Sequence, residues 1–493
     1  MPSRENLFQL IKLLTRDERK FFLKYLDRYE GSDSAYVSLF KDLDRAKSYS
    51  AEKLEKKYKS YRVLISKLKR RLLDAMRQME IEEDIDNQIF CQMQDFHFFY
   101  RKGFLRHASK SLSEAKKLSI SYEKTETTLK IMAEELRLSM EIETNQLESK
   151  IAELVKEKEE WLRVLEGEGR AKKEYYKLFA EFRAKGVLNE PREIPFPDPS
   201  KGRQSFTVMH FRNNANVIQS RMNMDFPETE NHLRKLVGVW RAQEQVKEEY
   251  LSNYKKILGN FATILISNGK WTESLEIIKE LEELPSRNFK DRAETFQAVA
   301  QARLLLALNG GQDYSVSTLV TYLNEGLKKF ETEITLARRL SLWHNTFLVC
   351  LYEKEIETAR IWMQEIINHK KYQLKKQDHY VIRLCGPLLE YDAKDYDDLE
   401  DTINATYVYF QRNKYHDDLC QAVFRFVRSV LKNVSGDHTH YLGQFEEDLN
   451  RIEPDSLQEA TPGFQAVAGW VSKRISSVLP TQNLHHTMET SSS

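Results

Sequence analysis

The chain is poor in the two residues that interrupt regular structure. Its 493 residues include only 17 glycines and 11 prolines, under half of their combined average share. Turn-rich β folds, collagen-like chains and low-complexity chains need many more of these residues, so those classes are excluded. Charged residues make up 31% and hydrophobic residues 41%, which is typical of long helices with one exposed charged face. We therefore predict a soluble all-α protein.

Cysteine is also scarce. The four cysteines are Cys91, Cys350, Cys385 and Cys420. They lie far apart and form no C-x-x-C pair, which argues against a zinc knuckle and against a disulfide framework. We expect reduced thiols that pack as small hydrophobic side chains.

Long hydrophobic runs are missing. No window of the sequence approaches the 18 uncharged apolar residues of a membrane-spanning helix. Charges at Lys12 and Arg16 interrupt the N-terminal apolar stretch too early for the core of a signal peptide. We therefore expect a cytoplasmic protein with no membrane partner.

The net charge is close to zero overall but unevenly distributed. Lys and Arg total 76 and Asp and Glu total 75, for a net charge of +1. Residues 1–75 hold 19 Lys and Arg against 11 Asp and Glu, a net charge of +8, so the rest of the chain carries −7. Any attraction to a polyanion must therefore be local to the N-terminal segment.

A long basic helix is predicted from Tyr61 onward. Leu64, Leu68 and Leu72 recur at helical spacing and mark its buried stripe. Five cationic residues lie outside that stripe: Arg62, Lys67, Lys69, Arg70 and Arg71. They can form a solvated helix surface whose apolar stems cover the core edge, which we favour, or a phosphate-binding face for DNA or RNA.

The most informative pattern is an internal repeat. Each copy has a turn residue, a bulky residue at +2, and small or apolar residues at +5, +9 and +12. The turn positions are Gly103, Met224, Gly269, Gln312, Lys354 and Lys394. The last five are 40 to 45 residues apart, which predicts an array of helical hairpins. The Gln312 copy places Tyr314, Ser317 and Thr321 at +2, +5 and +9. In the other copies we expect Ala108, Ala359 and Trp271 to be buried.

Two resemblances follow from these patterns. The hairpin array resembles tetratricopeptide-like repeats, although its period exceeds their usual 34 residues. A second motif, together with the Phe40 helix and the Gly103 hairpin, is similar to a family of uncharacterised all-helical bacterial proteins. That motif reads Leu7-x-x-Leu10-Ile11-x-x-Leu14-Thr15-x-x-Glu18-Arg19-Lys20-Phe21-Phe22. The second resemblance covers roughly residues 1–120 and implies a helical fold but no activity.

The patterns divide the chain into five segments. They are a basic N-terminal helical domain (1–82), first hairpins with long charged helices (83–185), a Pro-rich loop (186–204), a TPR-like hairpin array (205–479) and a disordered tail (480–493). Four prolines lie between Asn189 and Pro199, where neither a helix nor a central strand can form. We interpret this loop as an insertion between hairpins; a polyproline-type docking segment is the alternative.

Motifs for catalysis, metal binding and cofactor binding are missing. The sequence contains no H-E-x-x-H, P-loop, G-x-G-x-x-G or G-x-S-x-G motif. The closest histidine clusters, His438 with His440 and His485 with His486, fit a loop and a tail better than a metal site. The densest acidic run, Tyr391–Asp401, spans the predicted start of a helix near Tyr396, so we expect Asp395, Asp397 and Asp398 to cap that helix. We predict no cofactor, no metal and no enzymatic activity.

The functional prediction is a noncatalytic helical-repeat scaffold. Stacked hairpins leave an extended concave groove, in which we expect a protein or peptide partner. The alternative is a regulator that contacts DNA or RNA through its basic N-terminal helices and uses the array as a sensor or partner-binding module. An enzyme would need a polar pocket that no motif indicates. The sequence leaves the partner and the oligomeric state open.

Overall fold

The computed structural model describes residues 2–31, 34–80, 84–141, 147–185, 205–311, 315–369, 376–415, 417–452 and 462–478. Within these ranges the chain forms 23 helices and no strand, which confirms the all-α prediction. A membrane-spanning helix is not found among the helices of these ranges. The Pro-rich loop 186–204 and the tail 480–493 lie outside the described residues.

The chain folds into two compact units. The first comprises Met1–Tyr175, Phe196–Arg212 and Val239–Tyr250, and the second comprises Tyr176–Pro195, Asn213–Gly238 and Leu251–Ser493. The first five helices are α1 Pro2–Leu13, α2 Arg16–Glu30, α3 Ala35–Arg45, α4 Ala51–Lys57 and α5 Tyr61–Glu80. They enclose a core of their own that includes Phe22, Phe40 and Leu68.

The middle of the chain contains helices α6 to α12, of which α9 is the longest described. They are α6 Ile85–Arg101, α7 Leu105–Ser121, α8 Thr125–Ser139, α9 Leu147–Lys185, α10 Phe206–Met222, α11 Phe226–Arg241 and α12 Glu244–Glu249. A separate core between α6, α7 and α8 includes Phe96, Leu112 and Ile131.

The second unit contains an array of five hairpins within its described residues. The first helix of each hairpin is an A helix: α13 Leu251–Ser267, α15 Phe289–Leu308, α17 Leu336–Tyr352, α19 Lys376–Ala393 and α21 Asp418–Lys432. The second is a B helix: α14 Trp271–Glu283, α16 Val316–Lys329, α18 Ile356–Ile367, α20 Tyr396–Asn413 and α22 Thr439–Arg451. Each A helix packs against its own B helix and against the next A helix. A final helix, α23 Pro462–Val478, follows the array.

The hairpin turns confirm the predicted repeat. The backbone is left-handed at Gly103, Met224, Gly269, Lys354 and Lys394, with φ between 58° and 76°. The amide after the turn residue donates to the carbonyl five residues earlier, for example Lys270 N to Leu265 O at 2.8 Å. This Schellman-type bond ends one helix and lets the next begin at once. The next helix therefore starts two residues after the turn, as predicted.

The buried positions of the repeat are also confirmed for most copies. In the copies at Gly103, Met224, Gly269, Lys354 and Lys394, the residues at +5 are fully buried; they include Ala108, Ser274 and Ala359. A further copy, which the sequence analysis missed, turns at Glu123, where φ is 55°. Its +5 residue is Thr128, a polar residue that is nevertheless buried.

Two expectations from the repeat are wrong. In the Gln312 copy, Gln312 and Tyr314 lie outside the described residues, but the register that follows them is shifted by two residues. The connection from Leu308 to Val316 is longer than in the other hairpins, and α16 starts only at Val316, behind the N-cap Ser315. Ser317 and Thr321 are consequently exposed, while Leu319 and Leu323 are buried. Trp271 is 39% exposed. It is the residue at +2 and begins the first turn of α14, so its side chain lies outside the helix face that packs against α13.

The three cysteines Cys350, Cys385 and Cys420 are buried and Cys91 is partly buried, all of them as free thiols. The predicted packing of cysteine as a small hydrophobic side chain is therefore confirmed for three of the four.

Enlarging the small residue at +5 should destabilise its hairpin. We expect Ala108→Leu and Ala359→Leu each to lower the free energy of unfolding by about 1–3 kcal/mol, because both side chains are fully buried where helices approach closely. Chemical denaturation measures the change. Ala133→Leu in α8 and Ala337→Leu in α17 are matched controls at exposed positions and should change stability by less than about 0.5 kcal/mol. Equal effects at buried and exposed sites would contradict this packing.

Candidate protein-binding site

Helix α23 covers the open side of two A helices. It packs against α17 and α19 as well as against its neighbour α22. In a regular hairpin array, an A helix keeps one side free of its B helix and of the adjacent A helices. In α19, however, Val381–Glu390 is buried throughout except at Arg383, which is partly buried. Helix α23 therefore lies in a groove on the A-helix side of the array. We call this groove, formed by α17, α19 and α22, the α23 groove.

Residues at equivalent positions of different repeats line this groove. Tyr352 in α17 and Asp392 in α19 each lie two residues before the left-handed turn residue of their hairpin. The same position in α13 is Ser267, which is exposed. Helical spacing places Asn260 and Lys256 on the same side of α13, and both are exposed. The A-helix side is thus open and polar at α13 and covered at α17 and α19.

The backbone of α23 approaches α17 closely. The Tyr352 hydroxyl is within hydrogen-bonding distance of two backbone carbonyls of α23, those of Gln465 at 3.2 Å and Ala466 at 3.0 Å. A Cβ atom at Gly469 would collide with this hydroxyl. Glycine is therefore required at this point of α23 if Tyr352 is to keep its position.

Trp470 fills an aromatic pocket at the centre of the groove. Its ring is fully buried and lies 5.8 Å from the ring of Tyr391 and 6.0 Å from that of Phe426, both in edge-on arrangements. The guanidinium group of Arg474 lies 5.4 Å from the indole centroid. The indole Nε1 donates to Asp392 Oδ2 at 2.7 Å, which satisfies the polar atom of this buried ring.

Arg474 completes a polar clamp. It donates to both carboxylate oxygens of Asp392, from Nε at 2.8 Å and from Nη2 at 2.6 Å. The guanidinium also donates to the carbonyls of Leu351 at 2.8 Å and Tyr352 at 3.0 Å. These carbonyls belong to the last turn of α17, where a cation is favoured by the helix dipole. We call Asp392, Trp470 and Arg474 the Trp-Arg clamp.

The Trp-Arg clamp is deeply buried. The side chain of Arg474 is 5% exposed and that of Asp392 is 3% exposed. A buried bidentate pair of this kind fixes geometry more than it adds stability, because desolvation offsets much of the attraction. The groove therefore combines an apolar surface with one directional recognition element.

The sequence analysis located part of this site but not its role. Asp395 caps α20 as expected, accepting from Asp398 N at 3.1 Å, and Asp397 and Asp398 lie in the first turn. Asp392, from the same acidic run, has a different function: it binds Trp470 and Arg474. The available signal was the pair Trp470 and Arg474, which lie one turn apart in an otherwise mostly apolar helix.

The five predicted polyanion-binding residues all lie on α5. Arg62 pairs with Glu55 at 3.6 Å and Arg71 with Glu30 at 2.5 Å. Lys67 and Arg70 are exposed and Lys69 is partly buried. These last three form no ion pair with any residue that the structure describes.

The five cations do not converge on one face of α5. At about 100° per residue, they spread over roughly 200° of the helix circumference, with Lys69 and Arg71 at the two edges beside the buried stripe. The exposed apolar side chains Val63 and Leu73 lie between them. This arrangement is that of a solvated helix surface with three available cations.

Of the two histidine clusters, the structure describes only that of His438 and His440. Among the described residues, no group of three or more His, Cys, Asp or Glu side chains could hold a metal ion. His438 Nε2 contacts the carbonyl of Asn433 at 2.9 Å, and its ring lies against Tyr391. His485 and His486 lie outside the described residues.

Comparison of the chain with protein-family models, with curated proteins and with solved structures finds no match in any of the three.

Proposed function

We propose that this protein is a noncatalytic helical-repeat scaffold that binds a protein or peptide along the A-helix side of its array. The observation that carries this proposal is the α23 groove, in which that side of the array accommodates a helix through an apolar surface and a directional clamp. A groove that receives one amphipathic helix has the properties needed to receive another. The open part of the same side, at α13, offers polar contacts through Lys256 and Asn260.

Site-specific photo-crosslinking in the native host tests this function. A photoreactive amino acid at Asn260, on the A-helix side of α13, should capture one defined protein. The matched control is the same amino acid at Lys279, which is exposed on the B helix α14. We expect the captured protein from position 260 and not from position 279. Recovery of the same proteins from both positions, or of none from either, would contradict the proposal.

The alternative function, nucleic-acid binding through α5, is favoured by one observation: Lys67, Lys69 and Arg70 have no ion-pair partner within the described part of the chain. The resemblance of residues 1–120 to a family without an assigned activity does not favour either function. A cytoplasmic location is part of our proposal, because a reducing compartment keeps thiols such as Cys350 and Cys385 unpaired.

We expect nucleic-acid binding to be weak and independent of sequence. Replacing Lys67, Lys69 and Arg70 together with glutamine should reduce the slope of log affinity against log salt by about 0.7–0.9 for each lost phosphate contact. A salt titration with fluorescent DNA measures this slope. The control is Arg77→Gln, since Arg77 already pairs with Asp74 at 2.6 Å and its loss should leave the slope unchanged. Tight, sequence-selective binding at physiological salt would favour the regulator instead.

A further inference from the structure

The geometry points to α23 as a helix that a partner helix can replace in the α23 groove. The partner helix carries an aromatic residue at position i and an arginine at position i+4. This inference rests on the proposed function and names the class of partner. It concerns only helices of the second unit, α17, α19, α21, α22 and α23.

The groove specifies its ligand by charge and shape. Asp392 supplies a buried carboxylate, and the end of α17 supplies the carbonyls of Leu351 and Tyr352. Together they present negative charge and acceptors to one guanidinium group, a planar donor that can bind all of them at once. Tyr391 and Phe426 form the pocket for an aromatic ring one turn earlier. A lysine or an aliphatic residue at these two positions cannot make the same contacts.

The ligand must also have a small residue just before the aromatic residue. Gly469 fills this role in α23, because any larger side chain would meet the Tyr352 hydroxyl. The recognition pattern is therefore glycine, an aromatic residue, three further residues and then arginine. The occupant that we infer is a helix of another protein that carries this pattern.

The connection of α23 differs from those within the array. Residues 452–461 separate α22 from α23, a longer stretch than separates any two successive helices from α13 to α22. Because α23 is covalently joined to α22, its effective concentration at the groove exceeds that of a free helix, and a short linker brings it to the order of millimolar. A free helix of equal intrinsic affinity would bind the intact chain only when it outcompetes the tethered one.

Besides apolar packing, in which Ala466, Val467 and Val471 join the core of the array, α23 makes one buried charged contact. A fixed capping helix needs only apolar packing, whereas the Trp-Arg clamp places a charged pair in a dry site. Such a pair contributes orientation and selectivity rather than net stability. Its presence is explained if the groove must distinguish one helix from others.

The test uses the full chain with a specific protease site placed within residues 454–460. After folding, cleavage leaves α23 bound but no longer tethered, and circular dichroism and native mass spectrometry verify that the nicked protein keeps its helicity. A fluorescent peptide of residues 462–478 is then added and its anisotropy is followed. We expect the peptide to replace α23 in the nicked protein and to bind uncut protein about 100-fold more weakly.

Variant peptides test the recognition pattern. Arg474→Gln should weaken binding by about 10- to 100-fold through loss of charged hydrogen bonds, and Gly469→Leu should abolish it. Ser472→Ala, at an exposed position of α23, is the matched control and should bind like the parent peptide. An unrelated amphipathic helical peptide that carries the pattern, with Gly469, Trp470 and Arg474 at their spacing in α23, should bind the nicked protein as well.

Three results would overturn the inference: no exchange before the nicked protein unfolds, equal binding of the Arg474→Gln peptide, or failure of the unrelated helix that carries the pattern. Each is distinct from failure of the proposed function. If a protein is captured from position 260 but α23 does not exchange, the scaffold function is retained and the replacement of α23 by a partner helix is rejected.

Discussion

Replacing Asp392 with alanine is expected to lower the free energy of unfolding by about 3–5 kcal/mol. The carboxylate receives three hydrogen bonds, one from Trp470 and two from Arg474. Without it, the guanidinium group stays buried and loses its only described carboxylate partner. A substitution that leaves a buried charge without its partner lowers the free energy of unfolding more than most single substitutions do. Guanidinium chloride unfolding followed by circular dichroism measures the loss.

Two further variants separate the charge effect from the packing effect. Replacing both partners with apolar residues, Asp392→Leu with Arg474→Met, should recover most of the lost stability, because no unpaired charge remains. Asp401→Ala, an exposed carboxylate of α20, is the control and should change stability by less than about 0.5 kcal/mol. A loss of similar size in the Asp401 variant, or a double variant weaker than Asp392→Ala, would contradict the buried clamp.

Acid sensitivity should arise at a second buried carboxylate, Glu230 in α11. Its oxygens accept from Lys270 Nζ at 2.7 Å, Arg234 Nη2 at 2.7 Å and Asn268 Nδ2 at 2.8 Å. Burial alone would raise the pKa of this carboxyl, but these hydrogen bonds lower it to about 2. Compared with an ordinary value of 4.5, this corresponds to about 3 kcal/mol of stability at neutral pH.

The sign of the pH effect follows from the lowered pKa. A carboxyl whose folded pKa is depressed stabilises the protein fully above its unfolded pKa of 4.5, and this stabilisation is lost as the pH falls toward 2. Glu230→Gln should therefore lower the free energy of unfolding by about 2–3 kcal/mol at pH 7, with no difference from wild type near pH 2. Urea unfolding at several pH values measures this. The exposed Glu276→Gln is the control, and a pH-independent difference for Glu230→Gln would reject the explanation.

The sequence predicts the parts of the fold that are encoded locally. A Schellman-type turn and the buried positions that follow it lie within about a dozen residues, so the copies at Gly103, Gly269, Lys354 and Lys394 could be placed. The copy near Gln312 failed because a longer connection moves the start of α16. No propensity in the sequence fixes the length of such a connection, which depends on how α15 and α16 pack.

The candidate site could not be predicted because it depends on distant contacts. Asp392 and Arg474 are 82 residues apart, and nothing near either residue indicates the other. Likewise, the cationic character of α5 is evident from its sequence, but the pairing of Arg71 with Glu30 is not. Helical periodicity shows which side of a helix is buried without showing which helix buries it.

The position of α23 in the chain also affects how the protein folds during translation. This helix is translated about 70 residues after the end of α19, which takes roughly 4–14 s at about 5–20 residues per second. During that interval the emerging chain displays Tyr391 and the apolar side of α17 without their cover. A ribosome that stalls before Pro462 leaves this surface exposed, and such surfaces recruit chaperones or aggregate. Release of those chaperones should coincide with the docking of Trp470.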